Sequence, residues 1–165
     1  MKVKQFIIIA VLLLAAIAPM KGQEWIYKIQ KADDLLGTNS DSVAIYMTEK
    51  YSVIVSFTND EIWIKSHDGV FDYHKNEYYI LVGMYDKEDN LLSKDRVFCY
   101  YPNTKNHTLI NICNSKHLIR KDHPNDTIAT RFIDYLNKGD GYIRIVASMY
   151  LDDNLTIKIP CFNSK

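Results

Sequence analysis

The sequence predicts a mostly β fold: an antiparallel β-sandwich or partly open barrel of about 8–10 strands, with one α-helix at about residues 127–138 near the C-terminus. Three observations carry this reading. Short runs of β-branched and aromatic residues recur roughly every 8–12 residues, the spacing of sandwiches and barrels. Asn, Asp and Gly fill the gaps and supply the backbone geometry of short hairpins. A single stretch carries apolar residues at helical rather than strand spacing.

The chain begins with a segment of a different kind. Lys2 and Lys4 precede Phe6 to Ala18, 13 residues without a charge or polar side chain, and Pro19 to Gln23 follow. That is the layout of a secretory signal peptide. The apolar run is shorter than the roughly 20 residues that span a bilayer as a helix, so removal is expected rather than anchoring. Ala16-Ile17-Ala18 offers one small-x-small cleavage point, but Pro19 would follow the cut, and Gly22 is preferred. The expected organisation is a signal peptide at 1–22 and one β-rich domain at 23–165. No cysteine precedes Cys99, so a lipid-modified cysteine at the new N-terminus is excluded.

The strands follow in order. Trp25 to Ile29 places Trp25, Tyr27 and Ile29 on one face, and Val43, Ile45 and Met47 alternate with Ala44, Tyr46 and Thr48. Tyr51 to Phe57, Glu61 to Lys65, Tyr78 to Tyr85 and Leu91 to Tyr101 are further strand candidates. Thr108 to Ile112 and Lys116 to Arg120 are weaker, and Tyr142 to Leu151 and Leu155 to Pro160 close the series. Turn residues separate them at Thr58-Asn59-Asp60, His67-Asp68-Gly69, Asp86 to Asn90 and Asp152-Asp153-Asn154. The helix rests on Ile128, Ala129, Phe132, Ile133 and Leu136, with a cap expected from Pro124-Asn125-Asp126 and a stop at Lys138-Gly139. Its apolar stripe should pack over the sheet or plug one end of it.

Size and charge bound the function. The expected mature chain has 143 residues, enough for one core without staples, and 17 basic against 20 acidic residues. A net charge of −3 without a basic cluster gives no footprint for nucleic acid and no polybasic run to hold an anionic membrane. Twelve tyrosines are explained first by sheet packing, where the ring enters the core and the hydroxyl reaches water; a tyrosine-lined ligand surface is the second reading. Cys99, Cys113 and Cys161 survive processing. Cys99 and Cys113 flank the turn-rich stretch from Tyr101 to His107 and are the leading disulfide candidates; a pair using Cys161, or no disulfide, are the alternatives. Three unevenly spaced cysteines do not make a zinc site.

No catalytic constellation emerges. His67, His74, His107, His117 and His123 are scattered, and Asp72 with His74 could share a strand face and hold a metal, but a solvated turn explains them as well. Asp122-His123-Pro124 reads as a loop before the helix. Cys99 or Cys113 could be set beside His107 or His117, yet nothing local activates either thiol. Gly-x-Ser-x-Gly, His-Glu-x-x-His and a phosphate-binding glycine loop are absent. Asp86 to Asn90 lacks the central glycine of a calcium loop, and Asp33-Asp34 and Asp152-Asp153 are explained by turn chemistry. No catalytic residue, metal or cofactor is expected.

The order of elements carries a resemblance. Ile62-Trp63-Ile64, Gly69-Val70-Phe71 and Val82-Gly83-Met84-Tyr85-Asp86 are followed by Phe132 to Gly139, Ile143-Arg144-Ile145 and Ile157-Lys158-Ile159-Pro160. This loosely resembles small exported β-sandwich proteins, among them type VI secretion accessory proteins and the invasion-associated locus B family. It is more similar to uncharacterised exported proteins of gut-dwelling Gram-negative anaerobes. Where the first two families carry a cysteine after the strand matched by Ile62 to Ile64, this chain has Lys65-Ser66. The resemblance implies a sandwich with one helix outside the cytoplasm, periplasmic or secreted. Asn106, Asn125 and Asn154 begin N-glycosylation sequons in form only, and Ser42 and Thr127 sit in three-residue sequences that resemble the O-glycosylation signal of such anaerobes. The expected function is an exported, non-enzymatic binding or interaction module with a protein or glycan partner. A hydrolase using turn carboxylates and an accessory subunit of an envelope assembly are the alternatives.

Overall fold

The computed structural model describes residues 24–31, 40–71, 79–99, 108–115, 126–150 and 154–164. These hold nine strands: β1 (Ile26–Lys31), β2 (Ser40–Met47), β3 (Tyr51–Ser56), β4 (Glu61–Ser66), β5 (Tyr79–Tyr85), β6 (Leu91–Phe98), β7 (Leu109–Cys113), β8 (Tyr142–Ala147) and β9 (Leu155–Pro160). One helix, α1 (Ile128–Lys138), lies between β7 and β8 in sequence. The strands form two antiparallel sheets, β1-β2-β3-β4-β7 and β6-β5-β8-β9. The sheets do not close into a barrel, so the sandwich is the correct half of the expectation.

Most strands fall where alternation places them, and the exceptions have a cause. β6 stops at Phe98 rather than Tyr101 because its partner β5 begins at Tyr79, which faces Phe98. β8 stops at Ala147 rather than Leu151 because its ladder with β9 ends at the Ala147–Leu155 pair; Met149 makes an isolated bridge to Phe71 instead. The candidate strand from Lys116 to Arg120 lies outside the described residues. Turn chemistry also holds: Asp60 and Asp89 take φ of 51° and 64° in the β3–β4 and β5–β6 turns, a left-handed geometry that Asp tolerates better than most residues.

The main core lies between the sheets. Ala44, Tyr46, Val53, Val55, Ile62, Ile64, Ile110 and Ile112 meet Ile80, Val82, Val97, Ile143, Ile145, Ile157 and Ile159. Each buried aliphatic side chain is worth about 1.5–3 kcal/mol against exposure. The outer face of the five-stranded sheet is apolar too: Val43, Ile45, Ile54, Trp63 and Leu109 form a second cluster, 1–4% exposed. Ile45, Ile54 and Trp63 are direct register neighbours across β2, β3 and β4. All six residues of β3 are therefore buried, while β8 and β9 keep an alternation of buried and more open positions.

The helix buries Ala129, Phe132, Ile133 and Leu136 in the main core. It touches β4 and β7 of one sheet and β8 of the other. Tyr135 donates its hydroxyl to the Tyr85 carbonyl at the end of β5, 2.6 Å, and Phe162 N–H reaches Leu136 O just beyond β9. It thus plugs the end of the sandwich where β5, β7 and β9 finish. The cap differs from the local one expected. Thr127 at the N-cap position makes no side-chain capping bond, and Asp126 instead accepts from Ser115 Oγ. Asn114, directly after β7, offers Oδ1 to the backbone N–H groups of Ala129 and Thr130 and donates its amide to Thr130 Oγ1. The orphan donors of the first turn are satisfied from a neighbouring element, which welds the helix start to the strand. The Lys138-Gly139 stop is as expected. Gly141 follows because a Cβ there would sit 1.9 Å from the Tyr85 carbonyl oxygen.

Candidate functional site

β9 is an edge strand, and its open side would present unpaired peptide groups. Aromatic side chains from the opposite sheet satisfy them. Tyr51, first residue of β3, donates its hydroxyl to Lys158 O at 2.9 Å and accepts from Lys158 N at 3.0 Å. Trp25, directly before β1, donates Nε1–H to Pro160 O at 3.0 Å. Trp25 also lies 5.4 Å from Tyr46 and 4.5 Å, edge-on, from Phe162. Phe162 meets Tyr27 and Phe57 at 5.8 and 5.7 Å, again edge to face, the arrangement aromatic quadrupoles favour.

These rings leave a cleft of about 700 Å³ beside β9, lined by Trp25, Tyr27, Tyr46, Tyr51 and Phe162. Its charged lining residues are Glu24 and Lys158. The volume is within the usual range for ligand sites, roughly 300–1,000 Å³. Tyr27 keeps 58% of its surface open. Burial pushes the phenols of Tyr27, Tyr46 and Tyr51 up, in Tyr51 partly offset by the Lys158 N–H. All three are neutral hydrogen-bonding groups at physiological pH. Cys161 sits at the cleft with its thiol pushed up to about 11, mainly by burial, and donates weakly to Tyr135 O. The cleft can hold apolar ring or sugar faces and orient hydroxyl groups. Among the described residues it offers one side-chain carboxylate, where acid–base hydrolysis of a glycoside uses two.

The residues singled out by sequence are mostly elsewhere. His67 bridges Ser52 Oγ at 2.7 Å and the Glu49 carbonyl at 2.9 Å; with Nδ1 donating to that carbonyl, Nε2 accepts the serine hydroxyl. It is a structural tie. Asp72, His74, His107, His117, His123, Asp33 and Asp152 lie outside the described residues. Asp86 accepts from the N–H groups of Glu88 and Asn90 and from the Asn90 amide, which holds its carboxyl below the usual range; it builds a turn. Among the described residues no group of three His, Cys, Asp or Glu is placed to hold a metal, and no helix is long and apolar enough to cross a membrane. Ser42 and Thr127 are exposed.

Cys99, Cys113 and Cys161 are buried free thiols. Burial pushes the Cys99 thiol well up, and the nearby Cys113 adds to this; Cys113 is raised to about 12 by burial and Glu61. All three are protonated, the form that does not attack. Sequence reasoning noted the tyrosines but not the cleft, because its walls come from the two ends of the chain. Trp25 near the start was the available signal. No family model, curated protein or solved structure matches the chain.

Proposed function

We propose that this protein is an exported, non-enzymatic binding module that takes a glycan in the aromatic cleft beside β9. The observation that carries this reading is the clustering of Trp25, Tyr27, Tyr46, Tyr51 and Phe162 around one open space with the exposed Tyr27 ring at its margin. Ring faces suit the CH faces of sugars, and neutral phenols suit their hydroxyl groups. A hydrolase draws less support, since Glu24 is the one side-chain carboxylate in the lining among the described residues. The test is affinity electrophoresis through gels carrying soluble dextran, xyloglucan or galactomannan. At least one polymer should retard the protein, and Tyr27→Ala should weaken that retardation about ten-fold, because an exposed ring can be removed without emptying the core. Retardation by none of them, or equal retardation of the variant, would overturn the reading.

Export belongs to the same proposal. Its support is the basic start and apolar run of residues 1–22, with Trp25 then anchoring the mature N-terminus to Pro160. Protein recovered from outside the cytoplasm should begin at Gln23 by intact mass; a Met1 species confined to membranes would contradict it. In an oxidising compartment Cys99 and Cys113 are the pair proposed to join, supported by their positions just after β6 and at the end of β7, where the Cys113 thiol is near enough to add to the rise at Cys99. The bond would be structural. A mass lower by two hydrogens in the exported form, restored by reductant, is the expected result.

A further inference from the structure

The outer face of the four-stranded sheet brings together cations from three separate strands. Inward positions alternate with outward ones along a strand, and Ile80, Val82, Ile143, Ile145, Ile157 and Ile159 face the core. Register places Lys94 opposite Gly83, Gly83 opposite Arg144, and Arg144 opposite Lys158. Lys94, Arg144 and Lys158 therefore lie in one row across all four strands, and Arg96 stands in the next row. All four are exposed. Among the described residues none has a carboxylate partner.

Tyrosines splint three of these cations. Lys158 Nζ lies 3.8 Å above the Tyr142 ring, Arg96 4.4 Å from Tyr79 and Arg144 6.0 Å from Tyr85. Tyr85 and Tyr142 stack on each other at 5.0 Å with an interplanar angle of 5°. Gly83 makes room for this: a Cβ there would meet the Tyr85 ring at 2.7 Å. Cation–π contacts hold long side chains in place and lower the ordering cost of a second contact.

We propose that this face binds an acidic polysaccharide, a chain bearing carboxylate or sulfate groups, running across the strands along the Lys94–Arg144–Lys158 row. The row spans three inter-strand spacings, about 14 Å. Cations spread in a line match repeated charges on a polymer rather than one compact anion. A flat anionic membrane is a poorer match, because Asp86, Glu88, Asp89 and Asp140 gather at one end of the same strands and would be pressed against it. Single-stranded nucleic acid is a poorer match too, since the Tyr85 and Tyr142 rings stack on each other instead of offering a platform to bases. The inference concerns a different ligand from that of the cleft, which suits an uncharged one; Lys158 borders both surfaces, and Lys94 and Arg144 belong to this face alone.

The test is titration of the full mature chain with polygalacturonate and, separately, dextran sulfate at low salt. Binding should weaken steeply as salt rises toward and beyond physiological strength. Lys94→Gln with Arg144→Gln should weaken it about ten-fold, while Lys138→Gln, which removes an exposed cation of the helix outside the row, leaves it unchanged. Circular dichroism and the denaturation midpoint show whether the double variant stays folded; Lys94→Arg with Arg144→Lys, which keeps both charges, should retain most of the binding. Three results would overturn the proposal: no binding of either polymer at low salt, equal binding by the folded double variant, or equal or tighter binding of anionic vesicles or single-stranded DNA.

Discussion

The outer faces of the two sheets are built by the same alternation and end as opposites. On the five-stranded sheet the outward row Ile45–Ile54–Trp63 is buried and apolar. On the four-stranded sheet the row Lys94–Gly83–Arg144–Lys158 is open and cationic. Each side chain on the first face is held by its neighbours and contributes to stability. The second face keeps long charged side chains in water, propped on tyrosine rings, and contributes little to stability. The comparison teaches that register, not local composition, decides whether charges from separate strands meet on one face of a sheet.

Emptying the apolar side is the largest expected effect. Phe132, fully buried at the end of the core, and Trp63, 3% exposed on the outer face, should each cost about 3–5 kcal/mol when changed to Ala. Trp63→Ala also strips Glu61 of the indole N–H at 3.1 Å. Urea denaturation reads both; an unchanged midpoint for Trp63→Ala would mean that the outer cluster is not a core. Next comes Asn114→Ala, expected to cost about 1–2 kcal/mol by stranding two helix donors. A smaller loss, about 1 kcal/mol, should follow Tyr51→Phe, which removes the hydroxyl paired with both peptide groups of Lys158. Amide exchange at Lys158 should quicken in that variant. On the cationic side, Lys94→Gln and Arg144→Gln should each move stability by less than about 0.5 kcal/mol. A larger loss would mean that the row is structural and that the contrast between the faces fails.

Much of the fold was legible in the sequence, for identifiable reasons. Strands such as Tyr51–Ser56 and Leu155–Pro160 announce themselves by β-branched runs beside an Asn- and Asp-containing turn, and Phe132 and Leu136 by their four-residue spacing. The helix cap was not legible. Asn114 belongs to another element, and only folding brings it to Ala129. The cleft was hidden for the same reason: Trp25 and Pro160 are 135 residues apart, and Tyr51 and Lys158 are 107 apart. The cationic row was the least visible of all. Lys94, Arg144 and Lys158 stand on three strands well apart in sequence, so a search for a contiguous basic cluster passes over them.

The most direct test of the contrast is a backbone amide NMR titration of the folded, isotope-labelled chain with polygalacturonate. Shift changes should concentrate at Gly83, Lys94, Arg144 and Lys158 and leave Ile45, Ile54 and Trp63 untouched. Changes centred on the β2–β3–β4 face, or none on the four-stranded sheet at saturating polymer, would contradict the account.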